Sequence, residues 1–186
     1  MQKSWLCFII NIIGFQIGWF TCVLGAANEI FWLGPIVVAG LLVLHFCLHK
    51  KWCADLSLFT LCIFIGVGFD SLLIWQGIYE PKRWWLPHPW TTVWLAAMWV
   101  NFAMTLNVSL QRLQRFLIGA AMLGGIAGCL AYYGGDKFEA MQIAEPLIKN
   151  LLLIGLGWAI VTPGLFYLAR IIYNKPVQIN KKDKTG

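Results

Sequence analysis

The sequence predicts an all-α integral membrane protein, a bundle of six transmembrane helices with both termini cytoplasmic. Three observations carry this. Hydrophobic residues make up 60% of the 186 and charged residues only 12%, with a mean hydropathy of +0.72, against roughly 45–50% and 25% in soluble domains. The apolar residues fall into six runs, each near the roughly 20 residues that a bilayer span needs. The basic residues gather at alternate ends of those runs. A soluble fold is excluded, because a chain this small has a large surface that water must wet. Disorder and a secreted disulfide scaffold are excluded on the same grounds. The net charge of +6 belongs to residues beside lipid headgroups, not to a patch interleaved with exposed aromatics, so no nucleic-acid partner is expected.

The six predicted spans are about 5–26, 30–48, 55–77, 90–110, 116–134 and 148–172. The first carries Asn11 and Gln16, and its length favours a retained helix over a cleaved leader. His49-Lys50-Lys51 divides the second from the third, which charge and proline stop at Tyr79-Glu80-Pro81-Lys82-Arg83. Gln111 to Arg115 separates the fourth from the fifth, and Gly134-Gly135-Asp136 ends the fifth. A short interfacial helix is expected between Asp136 and Glu145. Pro146 opens the sixth span, where a missing N–H costs little. Residues 1–175 read as one domain and 176–186 as a mobile basic cytoplasmic tail.

An even number of spans puts both termini on one side. That side collects Lys3, Lys50, Lys51, Arg112, Arg115, Arg170, Lys175, Lys181, Lys182 and Lys184, and the other Lys82, Arg83, Lys137 and Lys149. Ten against four makes the first side cytoplasmic by the positive-inside bias. The six cysteines lie in or against apolar runs with no CxxC pair, and read as small buried apolar residues. Gly14 and Gly18, and Gly124 and Gly128, form small-xxx-small faces that let helix backbones approach closely, here within one bundle.

No soluble-enzyme motif is present: no phosphate loop, dinucleotide fingerprint, HExxH or GxSxG. His45, His49 and His88 are too few and scattered for a metal cluster, and His45 reads as a buried donor to a backbone carbonyl. The informative residue is Asp70, well inside the third span. An ionised carboxylate there costs about 2.5–3.5 kcal/mol on insertion scales. It must face the bundle interior, find donors or take up a proton, and Gly66 one turn earlier leaves room beside it. Candidate partners are Asn101 and Thr105 on the fourth span and Gln16 and Asn11 on the first, with Asn107 nearer the cytoplasm. At about 100° per residue, Gln16 points about 140° from Asn11 and Asn107 about 120° from Asn101, so all five cannot enter one pocket unaided. The competing role for these amides is to bridge helices, at about 0.6 kcal/mol each. Lys82, Arg83, Trp84 and Trp85, in a proline-stiffened loop, read as a lid or lipid-headgroup contact, or as an ordinary aromatic anchor.

Asn11 to Phe20, Cys22 to Ala27, Asp70-Ser71-Leu72-Leu73 and Thr105 to Leu110 resemble the domain of unknown function 2878 family of small bacterial inner-membrane proteins, over about residues 5–173. The family carries no assigned activity. The resemblance implies a setting near cyclopropane-fatty-acid-synthase-like methyltransferases and other lipid-modifying proteins, in membrane-lipid modification or oxidative stress. The resulting expectation is an inner-membrane protein that binds or carries a lipid or small amphipathic metabolite in a polar-lined intramembrane pocket around Asp70, with membrane lipids as partners and no cofactor or metal. The alternatives are a non-autonomous subunit of a membrane-lipid-modifying enzyme system, or a structural partner recruiting a soluble lipid-modifying enzyme to the cytoplasmic face. One carboxylate without a paired histidine, nucleophile or metal set is thin catalytic equipment, so the reading leans away from an enzyme.

The orientation is tested by single cysteines in a cysteine-free background. An impermeant maleimide added to intact cells should label His88→Cys and spare Lys3→Cys; the reverse pattern inverts the topology.

Overall fold

The computed structural model describes residues 2–49, 51–83 and 86–174. Among these residues the chain forms six α-helices: α1 Gln2–Ala27, α2 Leu33–Leu48, α3 Trp52–Trp75, α4 Val93–Leu106, α5 Leu117–Lys137 and α6 Leu147–Asn174. A 3-10 turn, Gln111–Arg115, joins α4 to α5. The basic tail expected at 176–186 lies outside the described residues. Helices α1, α3, α5 and α6 are long and apolar enough to cross a membrane, whereas α2 and α4 are shorter apolar helices. Phe64, Ile118, Ile148 and Ile160 each turn more than 70% of their surface outward. Such faces would be untenable in water and are solvated by hydrocarbon. The chain is a membrane protein.

The fourth run is shorter than its apolar letters suggest. Helix α4 has 14 residues, about 21 Å at roughly 1.5 Å per residue, against a hydrocarbon core of about 30 Å. After Leu106 the backbone turns, with the N–H groups of Val108 and Leu110 both donating to the Thr105 carbonyl. The short length fits its position. Trp94, Leu95, Trp99, Asn101, Ala103, Met104, Thr105 and Leu106 are all buried, and α1, α2, α3 and α6 pack around it. A helix enclosed by other helices has no lipid thickness to match.

The segment expected as an interfacial helix is instead part of a ribbon. Strand β1, Tyr79–Pro81, pairs antiparallel with β2, Met141–Ile143, in the register Tyr79↔Ile143, Glu80↔Gln142, Pro81↔Met141. Glu139, at φ 61°, takes the chain out of α5. From there the residues alternate: Met141 and Ile143 are buried and Gln142 exposed, matching buried Tyr79 and Pro81 across the ladder. That period of two is a strand's, not a helix's. The ribbon sits at the far end of the bundle, with the α1–α2 turn. The near end holds the start of α1, the α2–α3 turn, residues 107–116 and the end of α6.

Close helix contact comes from missing side chains. A Cβ at Gly128 would lie 2.3 Å from the Trp158 ring, and one at Gly124 2.2 Å from Thr162 Oγ1. On α1, a Cβ at Gly18 would lie 2.6 Å from the Asn101 amide, and Gly14 meets Leu41 of α2. The two small-xxx-small faces are thus used within the chain. Gly128→Ala should destabilise the fold by about 1–3 kcal/mol through overpacking, read by equilibrium unfolding in mixed micelles. Gly164→Ala, with nothing within 4 Å of its Cβ position, should leave stability unchanged or raise it; equal effects would refute the seam.

Candidate functional site

Asp70 has no exposed surface. Its carboxylate accepts three hydrogen bonds from three separate elements: Tyr79 of β1 donates to Oδ1 at 2.8 Å, Tyr132 of α5 donates to the same oxygen, and Trp99 Nε1 of α4 donates to Oδ2 at 2.7 Å. Burial, with the carboxylate beside it, pushes the Tyr79 phenol well above its ordinary value, so it remains a donor. The rings also pack on one another. Tyr79 and Tyr132 meet edge to face at 5.2 Å, and Trp99 stacks flat on Trp158 of α6 at 4.8 Å and 4°. The space beside Gly66 is filled, since a Cβ there would lie 2.0 Å from the Trp99 indole. Gly66 lets Trp99 reach the carboxylate of the residue one turn on.

The other expected partners lie elsewhere. Asn101 Nδ2 donates to the Phe15 carbonyl at 2.9 Å, and Asn11 Nδ2 to that of Met104 at 3.1 Å. Asn11 Oδ1 accepts from Ser109, Thr105 donates to the Phe102 carbonyl, and Asn107 Oδ1 accepts from Gln114. These groups sew α1 to α4 and close the turn after α4. Gln16 is exposed on the outside of α1. In the far-end loop, Lys82 Nζ donates to the Ala27 carbonyl at the end of α1, and Arg83 pairs with Glu80 and donates to the Leu86 and Trp90 carbonyls. Both cations are used in holding the loop. Trp84 and Trp85 lie outside the described residues.

Two neighbouring cavities lie beyond Trp158, on the side toward α1. An apolar groove of about 310 Å³ runs between α1 and α5, walled by Phe8, Ile12 and Phe15 of α1, Phe102 and Thr105 of α4, Leu123, Ala127 and Ala131 of α5, and Trp158, Thr162 and Phe166 of α6. Farther along α1, Trp19 and Phe20 pack against Phe138, with ring centroids 6.3 and 6.2 Å apart. At the near end it meets a polar chamber of about 390 Å³, lined by Trp5, Cys7, Phe8, His49, Asn107, Ser109, Gln111 and Arg112. Phe8 and Ser109 line both. Of the residues expected to contact a ligand, Thr105 faces the groove and Asn107 the chamber. Asn11 and Asn101 line a narrow crevice beside them, where Asn101 Oδ1 is buried without a protein partner.

The chamber wall leads to a second polar cluster. His49 stacks on His45 at 4.6 Å, and His45 Nε2 faces Asp55 Oδ2 at 3.6 Å. Asp55, in the first turn of α3, is buried and accepts the Tyr173 hydroxyl of α6. His45 therefore faces a carboxylate and not the backbone carbonyl expected for it. Burial holds the His49 imidazole below the usual histidine value, neighbouring His45 adds to this, and Asp55 opposes it, so at neutral pH His49 is uncharged and Arg112 is the chamber's cation. No group of three or more metal-ligating side chains occurs among the described residues.

Sequence reasoning singled out Asp70 but not its donors. Tyr79, Trp99 and Tyr132 lie 9, 29 and 62 residues away, beyond any helical periodicity. The available signal was residue type: a phenol among the glycines of α5 and an indole amid α4 each bring an N–H or O–H into hydrocarbon that has to be satisfied.

A family described as protein of unknown function (DUF2878) matches residues 8–164. The chain belongs to that family. No curated protein and no solved structure matches it.

The three-donor arrangement fixes what substitution at Asp70 should do. Asp70→Asn keeps one acceptor oxygen, for Trp99, while its NH2 group faces the tyrosine hydroxyls, which can turn to accept from it; it should fold with a loss of about 1–3 kcal/mol. Asp70→Leu strands two hydroxyls and an indole N–H, and should cost at least about 3 kcal/mol, the scale of a broken buried charge network. Equilibrium unfolding in micelles reads both. A Leu variant as stable as wild type would show that the three donors do not need the carboxylate.

Proposed function

We propose that this DUF2878 member is a multi-pass protein of the bacterial inner membrane, with all six helices in the bilayer and both termini cytoplasmic, that binds or carries a lipid or a comparable amphipathic metabolite. The apolar chain of the ligand lies in the α1–α5 groove and its polar head in the chamber at the near, cytoplasmic end. One observation carries the reading: a hydrocarbon-walled groove and a polar chamber lie side by side and share the lining residues Phe8 and Ser109. Each is within the roughly 300–1,000 Å³ of small-molecule sites, and their polarities succeed one another as an amphiphile's do. Ile12, Leu123 and Ala127 on the groove's rim are exposed, which supports entry from the lipid side. Arg112 and Gln111 supply donors for an oxygen-rich head.

Asp70 serves this site as a positioning residue. It holds Trp99, Trp99 holds the plane of Trp158, and Trp158 is the back wall of the groove. The polar lining expected around the carboxylate is thereby consumed inside the protein, and the wall offered to the ligand is the face of an indole.

A second reading, that the chain is a subunit of a membrane-lipid-modifying enzyme system, draws on His49. A neutral imidazole beside the chamber, backed by His45 and Asp55, is placed as a proton acceptor toward a bound head group.

Lipid analysis of the purified full chain tests both. Ala127→Trp, which fills the groove from an exposed position, should lower the retained amphiphile at least about tenfold, equivalent to about 1.4 kcal/mol, with unchanged thermal stability. Equal retention in variant and wild type would refute the groove as the seat. His49→Gln should leave retention intact under the first reading, and under the second should abolish any chemical change in the bound lipid when the partner proteins are present.

A further inference from the structure

Among the described residues the carboxylates are segregated. Glu29, Glu80, Asp136, Glu139 and Glu145 all lie at the far end and Asp70 in the interior. At the near end the described residues include one carboxylate, Asp55, which is buried and engaged by Tyr173 and His45. Arg112, Arg115 and Arg170 stand at that end, all exposed, and none makes an ion pair with a described residue. They are not dispersed. Together with Gln111, Gln114 and Phe116 they line one open basin of about 970 Å³ between the 3-10 turn and the end of α6.

Local geometry holds the cations together. In a 3-10 turn, with about three residues per turn, side chains three apart are eclipsed. Arg112 and Arg115 therefore share a face, across from Arg170 of α6. Three guanidinium groups facing one concavity repel one another unless an anion sits among them, and each presents a planar fork suited to phosphate oxygens. Phe116 and Ile118, 67% and 80% exposed, continue from the basin onto the outer face of α5. The basin thus borders an exposed apolar face.

We propose that the Arg112–Arg115–Arg170 basin is a binding site for the phosphate of an anionic phospholipid drawn from the adjoining leaflet. The phosphodiester lies between the guanidinium groups, Gln111 hydrogen-bonds the headgroup while Gln114 stays engaged by the Leu106 carbonyl and Asn107 Oδ1, and the acyl chains run along Phe116 and Ile118. Arg112 also lines the polar chamber, so the basin adjoins that chamber. The basin stands on its own residues and does not depend on the groove being occupied.

Native mass spectrometry of the full chain, titrated with phosphatidylglycerol or phosphatidylcholine, tests this. Wild type should retain phosphatidylglycerol in preference to phosphatidylcholine. Arg115→Gln with Arg170→Gln should lower that affinity about thirtyfold, at a factor of about five per arginine beside an anionic group, with an unchanged melting profile. The charge-preserving pair Arg115→Lys with Arg170→Lys should weaken it as well, because a lysine lacks the fork. Either variant binding as wild type does would overturn the site, the lysine pair by showing that diffuse charge suffices. Inorganic phosphate at millimolar concentration should not displace the lipid; complete displacement would make a free phosphate the occupant and overturn the lipid assignment. Ala127→Trp, which blocks the groove, should bind phosphatidylglycerol as wild type does. Loss in that variant would assign the lipid to the groove and not to the basin.

Discussion

A carboxylate buried in a membrane protein has to find hydrogen-bond donors within the chain, because hydrocarbon offers none. Asp70 finds three, and they come from β1, α4 and α5. The requirement binds elements that are otherwise far apart in the sequence. It explains why the α3–α4 connection returns to the bundle as a strand instead of continuing outward: Tyr79 must come down onto the end of α3. It also explains why Gly66 has no side chain, since the Trp99 indole occupies the place where one would be. The ribbon, the tight crossing of α3 and α4 and the orientation of Tyr132 all converge on one buried carboxyl group.

The same arrangement shapes the cavities. By fixing the Trp99 ring, Asp70 fixes the ring stacked on it, and Trp158 thereby becomes a flat, apolar back to the groove. Polar atoms and ligand space are kept apart. The donors turn inward to the carboxylate, the amides of Asn11 and Asn101 join α1 to α4, and what remains facing the groove is hydrocarbon with hydroxyls at Thr105, Ser109 and Thr162. Polarity returns at the near end, in the chamber and the arginine basin. The molecule is thus graded along its axis, with carboxylates at the far end, an apolar middle and unpaired cations at the near end.

Much of this architecture was legible in the letters. The six apolar runs became six helices, Pro146 immediately precedes α6, and the glycine spacings on α1 and α5 are used for close packing. Hydropathy could not reveal that α4 is short, because an enclosed helix and a lipid-facing one are equally apolar; burial distinguishes them, and burial depends on neighbours. Nor could it reveal the ribbon, since three-residue strands give too short an alternation to stand out beside an amphipathic pattern. For Asp70 the sequence announced a polar centre without naming its partners. The amides nearest by helical register have closer partners on the facing backbone, and the carboxylate is satisfied by aromatic donors that hydropathy counts as apolar. His45 and Asp55 escaped notice as a pair because each sits at a helix end, on either side of a turn, where charge is ordinary.

The chain order of the Asp70 donors sets the order in which the protein can be completed during synthesis. Tyr79 and Trp99 emerge soon after α3, but Tyr132 follows 62 residues behind Asp70, and Trp158, against which Trp99 stacks, comes later still. Helix α4, with 14 residues and a buried Asn101 and Thr105, is too short to partition stably into lipid unaccompanied. Its main neighbours, α1, α2 and α3, precede it in the chain and cover it first, and α6 adds a smaller contact later. A nascent chain stopped before α5 therefore carries an incompletely ligated carboxylate. Completion of the last hairpin supplies both the third donor and the ring that backs the first indole.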